Sequence, residues 1–457
     1  LQNESFETCF VPNKTFVMQK QFLILIVFLQ FILSPNLFSQ DADKTGWDLN
    51  QCINYALDHN IQIQKTKLDV ASSNVNLQQA KSNRLPNLSA SVSESFSNAK
   101  DLTTSSWDLN SGTSFNLGSS VTLYNGGALS MNIKQQSLNV DLANLGIEEA
   151  RNSIILSITQ SYLNVLYAKE SLDYTKEVVV ASEKQAERAR ELLNAGSFAR
   201  KDVAQIESQL ANDKYSLVLA QNTLTSRITE LKQLLEIPVT DPFNVSFPDL
   251  SLDQSFEIIP AKIDVFNSAL SIMPEIKSSE TSIRISETEM KIAKAGYLPT
   301  LSMNANYSTD FSGNSSGSFS NQLNNNQSQK LGLTLSIPIF NRNATRASVQ
   351  QSKISLERVQ LAKQETEKNL LQQVEVVYQN TEAGLTQYTS AQEQFTYANE
   401  NYKLSEEQYN LGMLTTVELL QSKNSLLNAK MELIQSKFSA IFNRKILDFY
   451  MGNSITL

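Results

Sequence analysis

Two hydrophobic periods alternate along this chain. Val203, Leu210, Leu217, Leu224 and Leu231 recur every seven residues, and Leu419, Leu426, Leu433, Ala440 and Leu447 repeat that column further on, with Leu420, Leu427, Ile434 and Ile441 beside it. Sevenfold spacing sustained over several turns predicts coiled-coil helices. Ile155, Ile158, Tyr162, Val165 and Leu172 carry the same 3–4 alternation in the preceding segment. Between Ala128 and Ala195 there is no proline and Gly146 is the only glycine. The pattern therefore predicts one helix over 128–195, about 100 Å long at 1.5 Å per residue. The stretch 343–411, with Gly384 as its only glycine, predicts a counterpart. Shorter helices are expected over 51–84, 199–236, 262–297 and 414–451.

The second period is two residues. Leu88, Ala90, Val92 and Phe96 alternate with serines, and Phe115, Leu117, Val121 and Leu123 with Asn116, Gly118, Ser120 and Thr122. Leu301, Met303, Ala305, Tyr307 and Phe311 alternate with small polar residues, as do Leu331, Leu333, Leu335, Ile337 and Ile339. These segments predict strands over 87–97, 114–124, 300–311 and 330–340, each apolar on one face and polar without charge on the other. Their length and alternation suit transmembrane β-strands. Phe96, Phe115 and Phe311 stand near one end, Tyr124 and Phe340 near the other, as interfacial aromatics do. The Ser/Asn/Gly-rich stretches Asn98–Gly112 and Ser312–Gln329 read as solvent-facing loops.

The two periods occur twice in the same order. Ala56-Leu57 with Ile63 recurs as Ala269-Leu270 with Ile276, and Ala80-Lys81, Leu85-Pro86 and Leu88-Ser89 as Ala293-Lys294, Leu298-Pro299 and Leu301-Ser302, a shift of 213 residues. Tyr124-Asn125 matches Phe340-Asn341, Tyr162 matches Tyr378, Gly196 matches Gly412 and Asp202 matches Glu418, a shift of 216. The chain thus reads as repeat 1 over 48–237, a proline-punctuated linker over 238–261 and repeat 2 over 262–452.

The first 39 residues stand apart from this scheme. Lys20 precedes an apolar run of 12 residues from Phe22 to Leu33, broken by Ser34-Pro35, with a cleavage site expected after Ser39. That run is too short to span a bilayer and suits an export signal. Residues 1–17 precede Met18 and read as an upstream extension. No later stretch reaches 18 consecutive apolar residues, so any crossing of a membrane falls to the strands.

Composition narrows the function. Among 457 residues, 38 basic and 46 acidic side chains give a net charge of −8, which argues against nucleic acid as a partner. Two cysteines, of which Cys9 falls in the leader, exclude a disulfide scaffold. His59 is the sole histidine, so most metal and nucleophile–base chemistry is out of reach, and there is no Gly-rich phosphate loop. An enzyme is not expected, nor a cofactor. Four strands cannot close a membrane barrel and an open edge in lipid leaves backbone groups unpaired. Three copies in head-to-tail contact would supply twelve strands. The rival reading is a secreted coiled-coil adhesin without a pore.

In this order and in duplicate, these features resemble the TolC-type outer-membrane efflux family. The duplicated Ala-Leu segments, the two Leu-Pro-x-Leu strand starts and the two glycine-centred turns carry the resemblance, from about Trp47 to Gly452. It implies a mainly α protein with transmembrane β-strands: a homotrimer with a 12-stranded barrel in outer-membrane lipid and a periplasmic helical tunnel. It implies a passive exit duct for a tripartite pump or type I secretion system, joined through a periplasmic adaptor to an inner-membrane transporter. The turns at Gly196, Ser197 and Phe198 and at Gly412, Met413 and Leu414 fall where adaptors dock. Asp202 and Glu418 follow each glycine by six residues and are expected at a periplasmic gate. Gln421 stands where the family often has a second acid, and Leu414 where a basic link is sometimes found. Tyr409 and Asp202 are expected to form a latch between neighbouring helix pairs.

Overall fold

The computed structural model describes residues 46–100, 107–248, 250 and 259–456. The leader expected over 1–39 and most of the second half of the linker lie outside them. The chain divides into a large unit, Trp47–Phe243 with Phe247–Leu457, and a small one to which Gly46 and Asn244–Ser246 belong. In the small unit a Cβ at Gly46 would stand 2.5 Å from the Val245 backbone, so only glycine fits there.

In the large unit the elements run α1 Leu49–His59, α2 Ile61–Ser82, β1 Ser89–Lys100, β2 Trp107–Asn125, α3 Ala128–Asn194 and α4 Arg200–Leu234. They continue as α5 Lys262–Ile272, α6 Pro274–Ala295, β3 Thr300–Ser312, α7 Phe319–Asn325, β4 Ser328–Ser336, α8 Ala344–Asn410 and α9 Thr416–Tyr450. α3 and α8 have 67 residues each, and α4 and α9 have 35 each. Both long helices start from left-handed residues, Gly127 and Asn343, which turn the chain out of the strands.

The heptad columns face inward. Val203, Leu231, Leu419, Ala440 and Leu447 are buried, as are Ile434 and Ile441 of the adjoining column. α3 pairs with α4 and α8 with α9, while α2, α3, α6 and α8 pack in that order beside the sheet. Gly384 lets α8 approach α9 closely, since a Cβ there would lie 3.4 Å from the Ala440 Cα. Val265, Met273, Ile276, Val374 and Leu447 form a core where α5, α6, α8 and α9 meet.

Four boundaries differ from the sequence expectation. The helix expected over 51–84 is two, because Asn60 is extended (ψ 129°), caps α2 through the Gln62 amide and reaches the Leu234 carbonyl at 3.1 Å. The helix expected over 262–297 breaks at Met273, which precedes Pro274 and is held out of the helical region. β2 starts at Trp107, not 114, because the hairpin ladder runs on to the Lys100–Trp107 pair through residues that read as loop. β4 ends at Ser336, two residues before Pro338, whose missing N–H cannot continue a ladder. Phe340 therefore lies beyond the strand, strongly exposed. The Ser312–Gln329 loop also holds the short helix α7.

The four strands form one antiparallel sheet in the order β1-β2-β3-β4. Its register puts Val92 beside Phe115, Leu117 beside Tyr307, Val121 beside Met303, and Met303 beside Leu333. A bulge after Thr122 sets Tyr124 opposite Leu301, on that same face. Without the bulge, strict alternation would have put Tyr124 on the polar side.

Candidate functional site: the helical turns and the two-faced sheet

Each long helix closes on a Schellman turn. The Ser197 amide donates to the Leu192 carbonyl and the Met413 amide to the Gln408 carbonyl, both at 2.9 Å. Gly196 and Gly412 have φ of 73° and 74°, and a Cβ on either would meet nothing within 4 Å. Backbone angle, not lack of space, thus requires glycine.

The following helices start differently. α4 begins at Ala199 without a side-chain cap. α9 begins with a capping box, in which the Glu418 carboxylate accepts from the Thr415 amide (2.9 Å) and hydroxyl (2.7 Å). Those bonds hold the Glu418 carboxyl below the usual carboxylate range. Glu418 and Gln421 are both exposed, a turn apart on α9.

Around the turns, Phe198 packs on the cluster of Ala186, Ala189, Val203 and Ile206. Its ring also meets Tyr409 edge-on at 6.4 Å. Asp202 is half-buried in the first turn of α4. Tyr409 hydrogen-bonds to Thr416; burial raises its pKa, the Asp202 charge adds to that, and Arg188 opposes it. The two residues of the expected latch are thus neighbours in one chain, coupled by charge. Leu411 and Met413 are exposed and Leu414 is half-buried. Above the turns a groove of about 760 Å³ runs between α3 and α8, lined by Lys184, Arg188, Phe198, Tyr402, Glu406 and Tyr409 among others.

The sequence reading missed a buried network. Lys423 of α9 is 8% exposed and Asp213 of α4 4%, with Nζ and Oδ2 2.7 Å apart. Ser182 of α3 bonds to both, and Gln209 donates to the other Asp213 oxygen at 2.9 Å. Asp213 lies seven residues after Ile206 and three after Leu210, so a charge at a heptad core position was the available signal.

At the other end, the sheet carries its apolar residues on one face. Val92, Phe96, Leu331, Leu333 and Leu335 are all strongly exposed there, Phe96 at 72% and Leu331 at 76%. The opposite face presents serines, Asn116, Asn304, Asn306 and Thr334, and also Asp310 and Lys330, so it is not the uncharged face that the alternation suggested. Of the expected interfacial aromatics, Phe115 and Phe311 are half-buried beneath Phe319 of α7, while Phe96 and Tyr124 are exposed. Among the described residues no helix is long and apolar enough to cross a membrane, and no three His, Cys, Asp or Glu side chains group as metal ligands. Cys52 is buried and its thiol is pushed up to about 12, which leaves it unreactive.

The outer membrane efflux protein family model matches residues 52–235 and 265–453, most of the chain in two stretches split at the linker. The chain belongs to that family. Outer membrane protein TolC of Escherichia coli is 24% identical over 316 residues, 66% of this chain and 62% of that protein. The alkaline protease secretion protein AprF of Pseudomonas aeruginosa is 20% identical over 310 residues, 65% and 61% of the two. The matches span about three fifths of these relatives' length. Among solved structures, the Campylobacter jejuni CmeC outer membrane channel superposes with a TM-score of 0.74 at 19% identity, covering 88% of this chain and 85% of that one. The open-state Neisseria gonorrhoeae MtrE outer membrane channel does so at 0.71 and 18%, covering 90% of each. The long paired helices and two-faced sheet are thus the efflux-family fold.

Proposed function

We propose that this efflux-family member is a passive, gated exit duct in the outer membrane. The observation that carries the reading is the sheet: an exposed apolar face, a polar face of mostly small uncharged side chains, and two open edges at β1 and β4. Water solvates such a face poorly, and lipid does not tolerate the edges unless another chain pairs them. An adhesin would leave both uncompensated. Three copies joined edge to edge give twelve strands, with the polar face turned to a wet lumen.

The helices then continue that lumen into the periplasm for about 100 Å. Their turns at Gly196–Phe198 and Gly412–Leu414, with the groove between α3 and α8, are the docking surface for a periplasmic adaptor. The adaptor links the duct to an energised inner-membrane transporter. Asp202, Tyr409, Glu418 and Gln421 line the gate, and adaptor docking opens it like an iris by splaying the inner helices α4 and α9.

Mass measurement of protein extracted from outer membranes, followed by planar-bilayer recording, tests this. A trimer that opens channels is the expected result. A soluble monomer or dimer without conductance overturns it.

A further inference from the structure

The segment between β3 and β4 is built. Gln322 is buried and anchors it: its Oε1 accepts the Ser312 amide at 2.9 Å, and its Nε2 faces the carbonyls of Ser312, Ser315 and Gly317 at 3.1–3.3 Å. Thr309 Oγ1 donates to the Leu323 carbonyl at 2.7 Å, and Asn326 Nδ2 to the Asp310 carbonyl at 2.9 Å. These bonds lay α7 across β3.

The side of the sheet on which it lies is fixed by its aromatic ring. Phe319 sits 5.2 Å from Phe311 and 6.4 Å from Phe115. Phe115 pairs with Val92 and Thr309, and Phe311 with Thr113, so all of them share the apolar face with Leu117, Tyr307 and Leu331. α7 is therefore on the apolar side of the sheet, away from the polar one.

Its depth is also marked. Glu94 pairs with Thr113, opposite Phe311 on the next strand, and accepts a hydrogen bond from the Thr113 hydroxyl. A carboxylate on this face needs water within reach, so this row lies at the edge of any hydrocarbon layer. The α7 sequence, Phe-Ser-Asn-Gln-Leu-Asn-Asn, has no charge, and Phe319 keeps 48% exposure over the Phe115 and Phe311 rings. An aromatic ring with uncharged polar neighbours at that level suits the boundary between headgroups and acyl chains.

We propose that α7 is a lipid-contacting foot: it folds outward over the sheet and seats Phe319 in the outer-leaflet interface, and so holds the β3–β4 segment off the mouth of the pore. This rests on the barrel reading, and the test separates the two. The native tryptophans, Trp47 and Trp107, are replaced by Phe, and a single reporter is installed as Phe319→Trp or as Leu331→Trp on the apolar face. Each protein is reconstituted in phosphatidylcholine vesicles with bromines at a shallow or a deep acyl position.

Both reporters should lose emission to bromolipid, the 319 reporter to shallow bromines and the 331 reporter to deep ones. Loss at 331, with the 319 reporter quenched only by aqueous acrylamide, overturns the foot and leaves the barrel standing. No loss at either position overturns the barrel and the foot with it. Gln322→Ala in the Phe319→Trp protein should abolish lipid quenching at 319 and leave the trimer mass unchanged. Retained lipid quenching there would show that Gln322 does not hold the foot.

Discussion

At the residue scale, the capping role of Glu418 can be separated from the gate role proposed for it. As a cap it needs a hydrogen-bond acceptor facing Thr415, and glutamine supplies one. As a gate residue it needs charge. Glu418→Gln should therefore keep thermal stability near wild type at neutral pH, and should shift single-channel cation preference or block. Thr415→Ala should instead lower stability by about 1 kcal/mol, the usual loss for a helix N-cap. The wild-type carboxyl sits below its ordinary value. Its stabilising contribution is thus full above the unfolded pKa and lost as pH falls through the folded one; the glutamine variant should lack that acid limb in a pH series of melting temperatures. Unchanged conductance in Glu418→Gln would remove the residue from the gate. Sequence made the neighbourhood legible, since a Gly followed six residues later by an acid occurs in both halves. It did not reveal that Thr415 is present in one turn while uncapped Ala199 holds the matching place in the other. That difference ties down the α9 acid and leaves Asp202 to act on Tyr409.

At the scale of elements, the coiled coils were legible because a seven-residue column survives any detail of packing. The breaks at Asn60 and Met273 were less so, because apolar spacing runs through both and only an Asn cap and a Pro mark them. The Lys423–Asp213 pair was not read at all, since its partners lie 210 residues apart on different coils. It fastens α9 to the α3/α4 pair. Asp213→Ala would leave a buried ammonium without its counter-charge, and should destabilise the fold by about 3–5 kcal/mol. Asp213→Leu combined with Lys423→Met removes both charges and should be near neutral or stabilising. Thermal melts of the extracted protein compare the three. A double variant as unstable as Asp213→Ala would mean that the pair contributes more than its own charge balance.

At the scale of the whole molecule, the repeat supplies a template for assembly. Within one chain α6 packs on α3, with Gln135 bonded to Glu289 and Ser278 to Glu149 along the seam. The repeat-equivalent contact would join α8 to α2, and these two helices carry exposed apolar columns: Ile61, Leu68 and Val75 on α2, Ile354 and Leu361 on α8. The matching positions inside the chain are covered, for Thr281, Thr288 and Leu138 are all buried. In the proposed trimer, one copy's α8 would fit the next copy's α2, a head-to-tail contact that closes as a ring. Burying a leucine contributes roughly 1.5–3 kcal/mol, and a ring of three repeats that gain at three interfaces. Leu68→Asp with Val75→Asp should abolish the ring, and so should Ile354→Asp with Leu361→Asp, each leaving monomers. Co-expressed, the two variants keep one intact pair of flanks and should yield a single heterodimer, seen as a two-chain mass in detergent. If either variant alone still formed a dimer, the contact would be two-fold rather than head-to-tail, and twelve strands would not follow from it.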